Sequence, residues 1–65
     1  MINKNKEYEE VESFIKTFKD HGTEGLAAFY GILQYAQYIN KIDFEQAKYL
    51  LDNFVCYMLL PEEYD

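Results

Sequence analysis

Three residues of the chain carry the functional groups of nucleophilic catalysis, namely Ser13, His21 and Cys56. Such catalysis needs a nucleophile, a neighbouring base and a third group that orients the base. We interpret His21 as a residue of a helix end, where it caps carbonyl groups. Cys56 has no base beside it in the sequence, and we interpret it as a small buried or half-buried hydrophobic residue. The sequence therefore favours a protein that is not an enzyme and binds no cofactor.

A cation site is a second kind of chemistry to consider, because four acidic residues lie near the N-terminus, namely Glu7, Glu9, Glu10 and Glu12. Helical spacing spreads these carboxylates around the helix, whereas an oxygen cage for a cation needs them to converge. A zinc site is not expected either, because the chain has one His and one Cys without paired spacing. We predict no metal site and interpret these acids as a solvated surface.

The formal net charge of −6 limits the classes of partner. An acidic protein repels nucleic-acid phosphates and anionic lipids, so we expect no direct nucleic-acid binding and no membrane association. The acids concentrated towards the two ends form a predicted acidic surface of Glu7, Glu9, Glu10, Glu12, Glu62, Glu63 and Asp65. If they line one side of the fold, the protein could instead be a decoy that imitates nucleic acid and blocks a nucleic-acid-binding enzyme.

The expected cellular compartment is inferred from three features that the sequence lacks, namely a signal segment, a membrane span and a disulfide. The N-terminus has no apolar signal segment, and the uncharged stretch 26–39 is too short to span a bilayer. With one cysteine the chain can form no internal disulfide. We expect a cytoplasmic protein, and because all six basic residues are Lys, a bacterial or phage protein from an AT-rich genome.

Apolar residues recur at helical spacing through the whole chain, which predicts an all-α fold. We expect one domain over residues 1–65, with helices at about 6–21, 24–40 and 44–60 and an acidic tail at 61–65. Short loops between helices make a compact up-down-up bundle the expected arrangement, with helix two at the centre. The first residues, 1–6, are polar and are expected to be frayed.

The helix ends have recognisable signals. Gly22 suits the left-handed position that ends helix one, and Thr23 suits the N-cap of helix two. Asp43 and Gln46 have the spacing of a capping box at the start of helix three. The predicted core face of helix one is Tyr8, Val11, Phe14, Ile15 and Phe18, and that of helix two is Leu26, Phe29, Ile32, Leu33, Ala36 and Ile39. The predicted core face of helix three is Phe44, Ala47, Leu50, Leu51, Phe54, Val55, Tyr57 and Met58.

Helix two is also apolar on its other side, and this side carries the functional prediction. A sixty-five-residue chain can cover one side of such a helix, but too few residues remain to cover the other side. Tyrosine is enriched in binding surfaces, although core packing is the simpler alternative for these tyrosines. The predicted partner interface comprises Ala27, Ala28, Gly31, Gln34, Tyr35, Tyr38 and Tyr49. We therefore predict a protein-interaction module, a homodimer that regulates or inhibits a partner protein.

Overall fold

The computed structural model describes residues 2–60, which form three α-helices. The helices are α1 (Lys6–Phe18), α2 (Gly22–Tyr38) and α3 (Phe44–Leu59). The connections of three and five residues between them produce an up-down-up bundle. Helix α2 packs against both other helices, which touch each other only sparsely. The predicted all-α three-helix bundle with a central second helix is therefore confirmed, while the predicted acidic tail 61–65 lies outside the described residues.

The core is built from the apolar positions that face the bundle axis. Its buried members are Tyr8, Val11, Ile15, Phe29, Leu33, Ala36, Ile42, Ala47, Leu50 and Phe54. Phe44, which was predicted for the core face of helix three, is instead 71% exposed, because it is the first residue of α3 and lines an open groove. The rings of Phe29 and Phe54 stack with their centroids 4.8 Å apart and join α2 to α3. Aromatic residues bury a large apolar area each, so this pair anchors much of a small core.

The first turn differs from the prediction. Helix α1 ends at Phe18 and not near residue 21, and the N-cap of α2 is His21 and not Thr23. Gly22 has the predicted left-handed conformation, with a φ of 60°, but it is the first residue of α2. The physical reason lies at Gly25, where an added Cβ would collide with the carbonyl oxygen of Phe18. The start of α2 lies so close to the end of α1 that no further helical residues fit between them.

The second turn begins with a hydrogen-bonded motif that ends α2. Asn40 has a φ of 61°, and its N–H donates to the carbonyl of Gln37 at 3.0 Å. The N–H of Lys41 donates to the carbonyl of Ala36 at 2.7 Å. Together these two bonds form a Schellman motif, with Asn40 in the left-handed position that glycine usually occupies. Helix α2 therefore ends two residues before the predicted boundary at residue 40.

The capping box of α3 is present as predicted. The N–H of Gln46 donates to Asp43 Oδ1 at 2.7 Å, and the N–H of Asp43 donates to Gln46 Oε1 at 2.9 Å. The buried Gln46 side chain also donates from Nε2 to the carbonyl of Asn3 at 2.6 Å. Ile2 packs against the core, and the N-cap residue Asn5 accepts the N–H of Tyr8. The segment 2–5 is thus held against the bundle and not frayed as expected, because it satisfies groups at two helix starts.

Candidate functional site

The two sides of α2 have different surroundings. Phe29, Leu33 and Ala36 lie inside the bundle and are buried. The opposite side carries the predicted interface residues of this helix, and we call it the outward face; it consists of Ala27, Ala28, Gly31, Gln34, Tyr35 and Tyr38. Ala28 is half-buried and the other five residues are exposed. Tyr35 and Tyr38 leave 65% and 84% of their surface in solvent. The outward face is therefore an uncharged surface with large aromatic side chains that no part of residues 2–60 covers.

A first groove runs along one edge of the outward face, between α1 and α2. It has a volume of about 480 Å³ and is almost wholly apolar; its lining includes Phe14, Ala28, Gly31, Ile32, Tyr35 and Ile39. An additional Cβ at Gly31 would meet nothing within 4 Å. The glycine is thus not required by packing within the chain, and it leaves the floor of this groove open.

Five residues that line the first groove, among them Phe14 and Ile39, were predicted to belong to core faces. Phe14 and Ile39 are instead exposed, at 42% and 46% of their surface. Each lies at the edge of the apolar arc of its helix, where the neighbouring helix does not reach. Their exposure widens the apolar surface next to the outward face, and helical spacing alone did not reveal this because it locates the centre of an arc better than its edges.

A second groove lies on the other edge of the outward face, between α2 and α3. Its volume is about 380 Å³, and it is lined by Thr23, Leu26, Ala27, Tyr30, Leu51 and Val55. Tyr30 is half exposed and was not among the predicted interface residues. Both grooves are apolar, so the outward face forms a ridge between two depressions that could receive side chains of a partner.

Tyr49 lies in a different part of the bundle from the other predicted interface residues. The Lys4 ammonium is 5.6 Å from the centre of its ring, a distance at which a cation and an aromatic face attract each other. Tyr49 also influences the ionisation of Tyr8, a residue of α1. We therefore treat the outward face of α2 as the candidate site without Tyr49.

Among the tyrosines that the structure describes, Tyr8 is the one that is fully buried in the core. Its hydroxyl group has no hydrogen-bond partner among the residues that the structure describes. Burial, together with the nearby negative charge of Glu12, raises the pKa of Tyr8 to about 12. Removing the proton from a buried phenol leaves an uncompensated charge, so the folded protein keeps Tyr8 protonated well above the ordinary pKa.

The described part of the predicted acidic surface does not form one acidic side. Glu7, Glu9 and Glu10 are exposed and Glu12 is half-buried, and the helix rotates by about 100° per residue, which turns them in different directions. Glu10 forms an ion pair with Lys41 at 2.8 Å. The hydrogen bond and charge of Lys41 lower the pKa of the Glu10 carboxyl, and Glu10 raises that of Lys41. The other three members, Glu62, Glu63 and Asp65, lie outside the described residues.

The residues with nucleophilic or basic groups lie on the surface. Ser13 Oγ donates to the carbonyl of Glu10 at 2.6 Å, within its own helix. His21 makes no side-chain capping bond; its backbone N–H, rather than its imidazole, bonds to the carbonyl of Phe18, which differs from the capping role predicted for it. Cys56 is an exposed thiol and not part of the core. Within residues 2–60, no three His, Cys, Asp or Glu side chains are grouped closely enough to hold a metal ion.

None of the three helices is both long enough and apolar enough to cross a lipid bilayer. The chain matches no protein-family model, no curated protein sequence and no solved structure.

Proposed function

We propose that the protein is a non-enzymatic interaction module that self-associates through the outward face of α2 and acts by binding, as a regulator or inhibitor of another protein. The observation that carries this proposal is the exposure of Tyr35 and Tyr38 on an uncharged helix face. Soluble proteins rarely leave a contiguous apolar surface of this kind in contact with water unless a partner covers it.

The composition of the face supports a protein partner over other ligands. Tyrosine side chains supply a large apolar area and a hydroxyl group, a combination that is enriched at protein interfaces. No lysine or arginine lies on the outward face to receive a phosphate, and the net charge of −6 opposes anionic ligands. The half-exposed Tyr30 and the two flanking grooves extend the surface that a partner could bury.

The acidic decoy remains the alternative prediction, but it has less support. A decoy needs its carboxylates on one side, whereas the acids of α1 point in several directions and Glu10 is paired with Lys41. A decoy would also bind a cationic surface, so its binding would weaken steeply with salt. Association through an apolar face would change little over the same range of salt concentration.

Sedimentation equilibrium between about 1 and 100 μM tests the proposal. The wild-type chain should form a dimer in this range, while Gly31→Leu, which places a side chain in the open space of the face, should shift the equilibrium towards monomer at least tenfold. Leu59→Ala is the matched control, because it removes an exposed apolar side chain from α3 and not from α2. A wild-type chain that stays monomeric at 100 μM, or a Leu59→Ala effect equal to that of Gly31→Leu, would contradict the proposal.

A further inference from the structure

We propose that two copies of the chain pair with their α2 helices antiparallel, about a two-fold axis that passes close to Gly31. This inference deepens the proposed self-association and rests on it. A symmetric dimer uses the same surface twice, so this surface must be complementary to itself. The outward face of α2 meets that requirement in one orientation only.

The sizes of the side chains change along the face. Its N-terminal half carries the small Ala27 and Ala28, Gly31 lies at the centre, and its C-terminal half carries the large Tyr35 and Tyr38. In an antiparallel pair, the residue four positions after Gly31 in one copy lies opposite the residue four positions before it in the other. Large side chains then meet small ones. A parallel pair would place tyrosine against tyrosine and leave a gap between the alanines, which close packing disfavours.

The groove between α1 and α2 determines where Tyr35 fits. Ala28 and Tyr35 both line this groove, so both lie on the α1 side of the outward face. The two-fold axis is perpendicular to α2 and lies in the plane of the interface. The α1 sides of the two copies therefore lie on the same side of the dimer. Tyr35 of one copy therefore enters the groove of the other copy beside Ala28, where Gly31 leaves the floor open. Each copy offers one tyrosine and one groove, so the contact occurs twice.

Electrostatics favours the same orientation. Glu24 is the acidic residue in the first turn of α2, and it lies as far before Gly31 as Tyr38 lies after it. Antiparallel pairing brings the Tyr38 hydroxyl opposite the Glu24 carboxylate, which can accept its hydrogen bond. The two Glu24 side chains are then about 21 Å apart along the helices, well beyond the screening length of about 8 Å in physiological salt. Parallel pairing would place these two carboxylates opposite each other.

The available area reaches what a dimer needs. Tyr30 is exposed by 50%, and Tyr35 and Tyr38 by 65% and 84%. Together with Phe14 and Ile39, they offer on the order of 500–600 Å² per copy, since an aromatic side chain buries roughly 150–250 Å². Specific interfaces begin at about 1,000 Å² in total, or about 500 Å² per partner. Two copies of this surface can therefore form a specific dimer without a third component.

Disulfide cross-linking tests the orientation. In a Cys56→Ser background, full-length Ala28→Cys and Tyr35→Cys proteins are prepared, one with a mass tag, mixed in equal amounts at 100 μM and oxidised. The antiparallel dimer should yield at least fivefold more of the disulfide that joins the A28C copy to the Y35C copy than of both like-with-like products together. Gly31→Cys, which lies next to the axis, should cross-link to itself and serves as the positive control for pairing of the face.

The outcomes separate the two proposals. A dimer in sedimentation whose like-with-like products equal or exceed the mixed product overturns the antiparallel arrangement and leaves self-association standing. A chain that is monomeric at 100 μM and gives no Gly31→Cys cross-link overturns both. A Gly31→Cys cross-link without a disulfide between the A28C and Y35C copies likewise overturns the antiparallel pairing. The outward faces would then contact each other in a different orientation.

Discussion

Between residues 26 and 38, the two sides of α2 are equally free of charge, but only the inner side is buried. The inner side places Phe29 and Leu33 in a closed core, whereas the outward side leaves Tyr35 and Tyr38 in water. The difference between the sides shows that the apolar content of α2 exceeds what this small core can use. Because unfavourable exposure of this kind has no role in stabilising a single chain, the surplus points to an interaction of the outward side.

Two glycines of α2, Gly25 and Gly31, have opposite surroundings. At Gly25 an added Cβ would collide with the backbone oxygen of Phe18, and at Gly31 it would meet nothing within 4 Å. The same residue type thus serves a close contact within the chain at one position and leaves open surface at the other. Substitutions on the two sides of the helix should therefore affect different properties, namely the free energy of unfolding and the self-association constant.

The largest effect is expected for Phe29→Ala on the inner side. It removes the ring that stacks on Phe54 and should lower the free energy of unfolding by about 3–5 kcal/mol. A domain of this size has little more stability than that, so the variant should be largely unfolded. Tyr35→Ala is the outward control and should change the monomer by less than about 0.5 kcal/mol. Urea denaturation followed by circular dichroism at low micromolar concentration measures both; equal losses would contradict the distinction between the sides.

Gly25→Ala should have the next largest effect. The new methyl group collides with backbone and not with a flexible side chain, so either α1 or α2 must move. We expect a loss of about 2–3 kcal/mol, at the upper end of typical overpacking costs. Thermal unfolding of the variant and the wild type measures this loss of stability. A wild-type melting temperature for Gly25→Ala would show that the approach of the two helices is looser than the structure indicates.

The buried Tyr8 should make the stability of the protein depend on pH in the alkaline range. The pKa of Tyr8 is about 12 in the folded protein, against 10.0 for the ordinary side chain. Because the folded value is the higher one, stability should be unaffected below pH 10 and should fall as the pH rises towards 12, by on the order of 2 kcal/mol. Urea denaturation at a series of pH values measures this loss.

Tyr8→Phe provides the control for that pH series. It lacks the ionisable group, and the lost hydroxyl had no partner among the described residues. The variant should be at least as stable as the wild type at pH 7 and should show a shallower alkaline decline. A steep decline that persists in Tyr8→Phe would assign it to other groups.

The smallest effect, of opposite sign, is expected for Gly31→Ala. Alanine favours helix over glycine by about 1 kcal/mol, and the site has room for a methyl group. The monomer should therefore gain about 0.5–1 kcal/mol. Comparison with Gly25→Ala in the same denaturation assay tests whether the two glycines differ as proposed. A loss of monomer stability at Gly31 would mean that this position is packed within the chain.

Local features of the sequence determined the helices and several of their ends. The spacing of apolar residues predicted three helices and their inner faces, and the Asp43–Gln46 capping box formed as expected. Such signals are readable because each involves side chains and backbone groups within about one turn of one another. The outward face of α2 was predicted for a similar reason, since uncharged residues covered the whole circumference of one helix.

The way in which the helices meet depends on contacts that local sequence patterns do not record. The tertiary structure ended α1 at Phe18 because Gly25 lies against that residue, exposed Phe14 and Ile39 at the rim of a groove, and placed Tyr49 beside Lys4. These outcomes depend on contacts between segments distant in sequence, and a helical pattern records the direction in which a side chain points but not whether another helix reaches it.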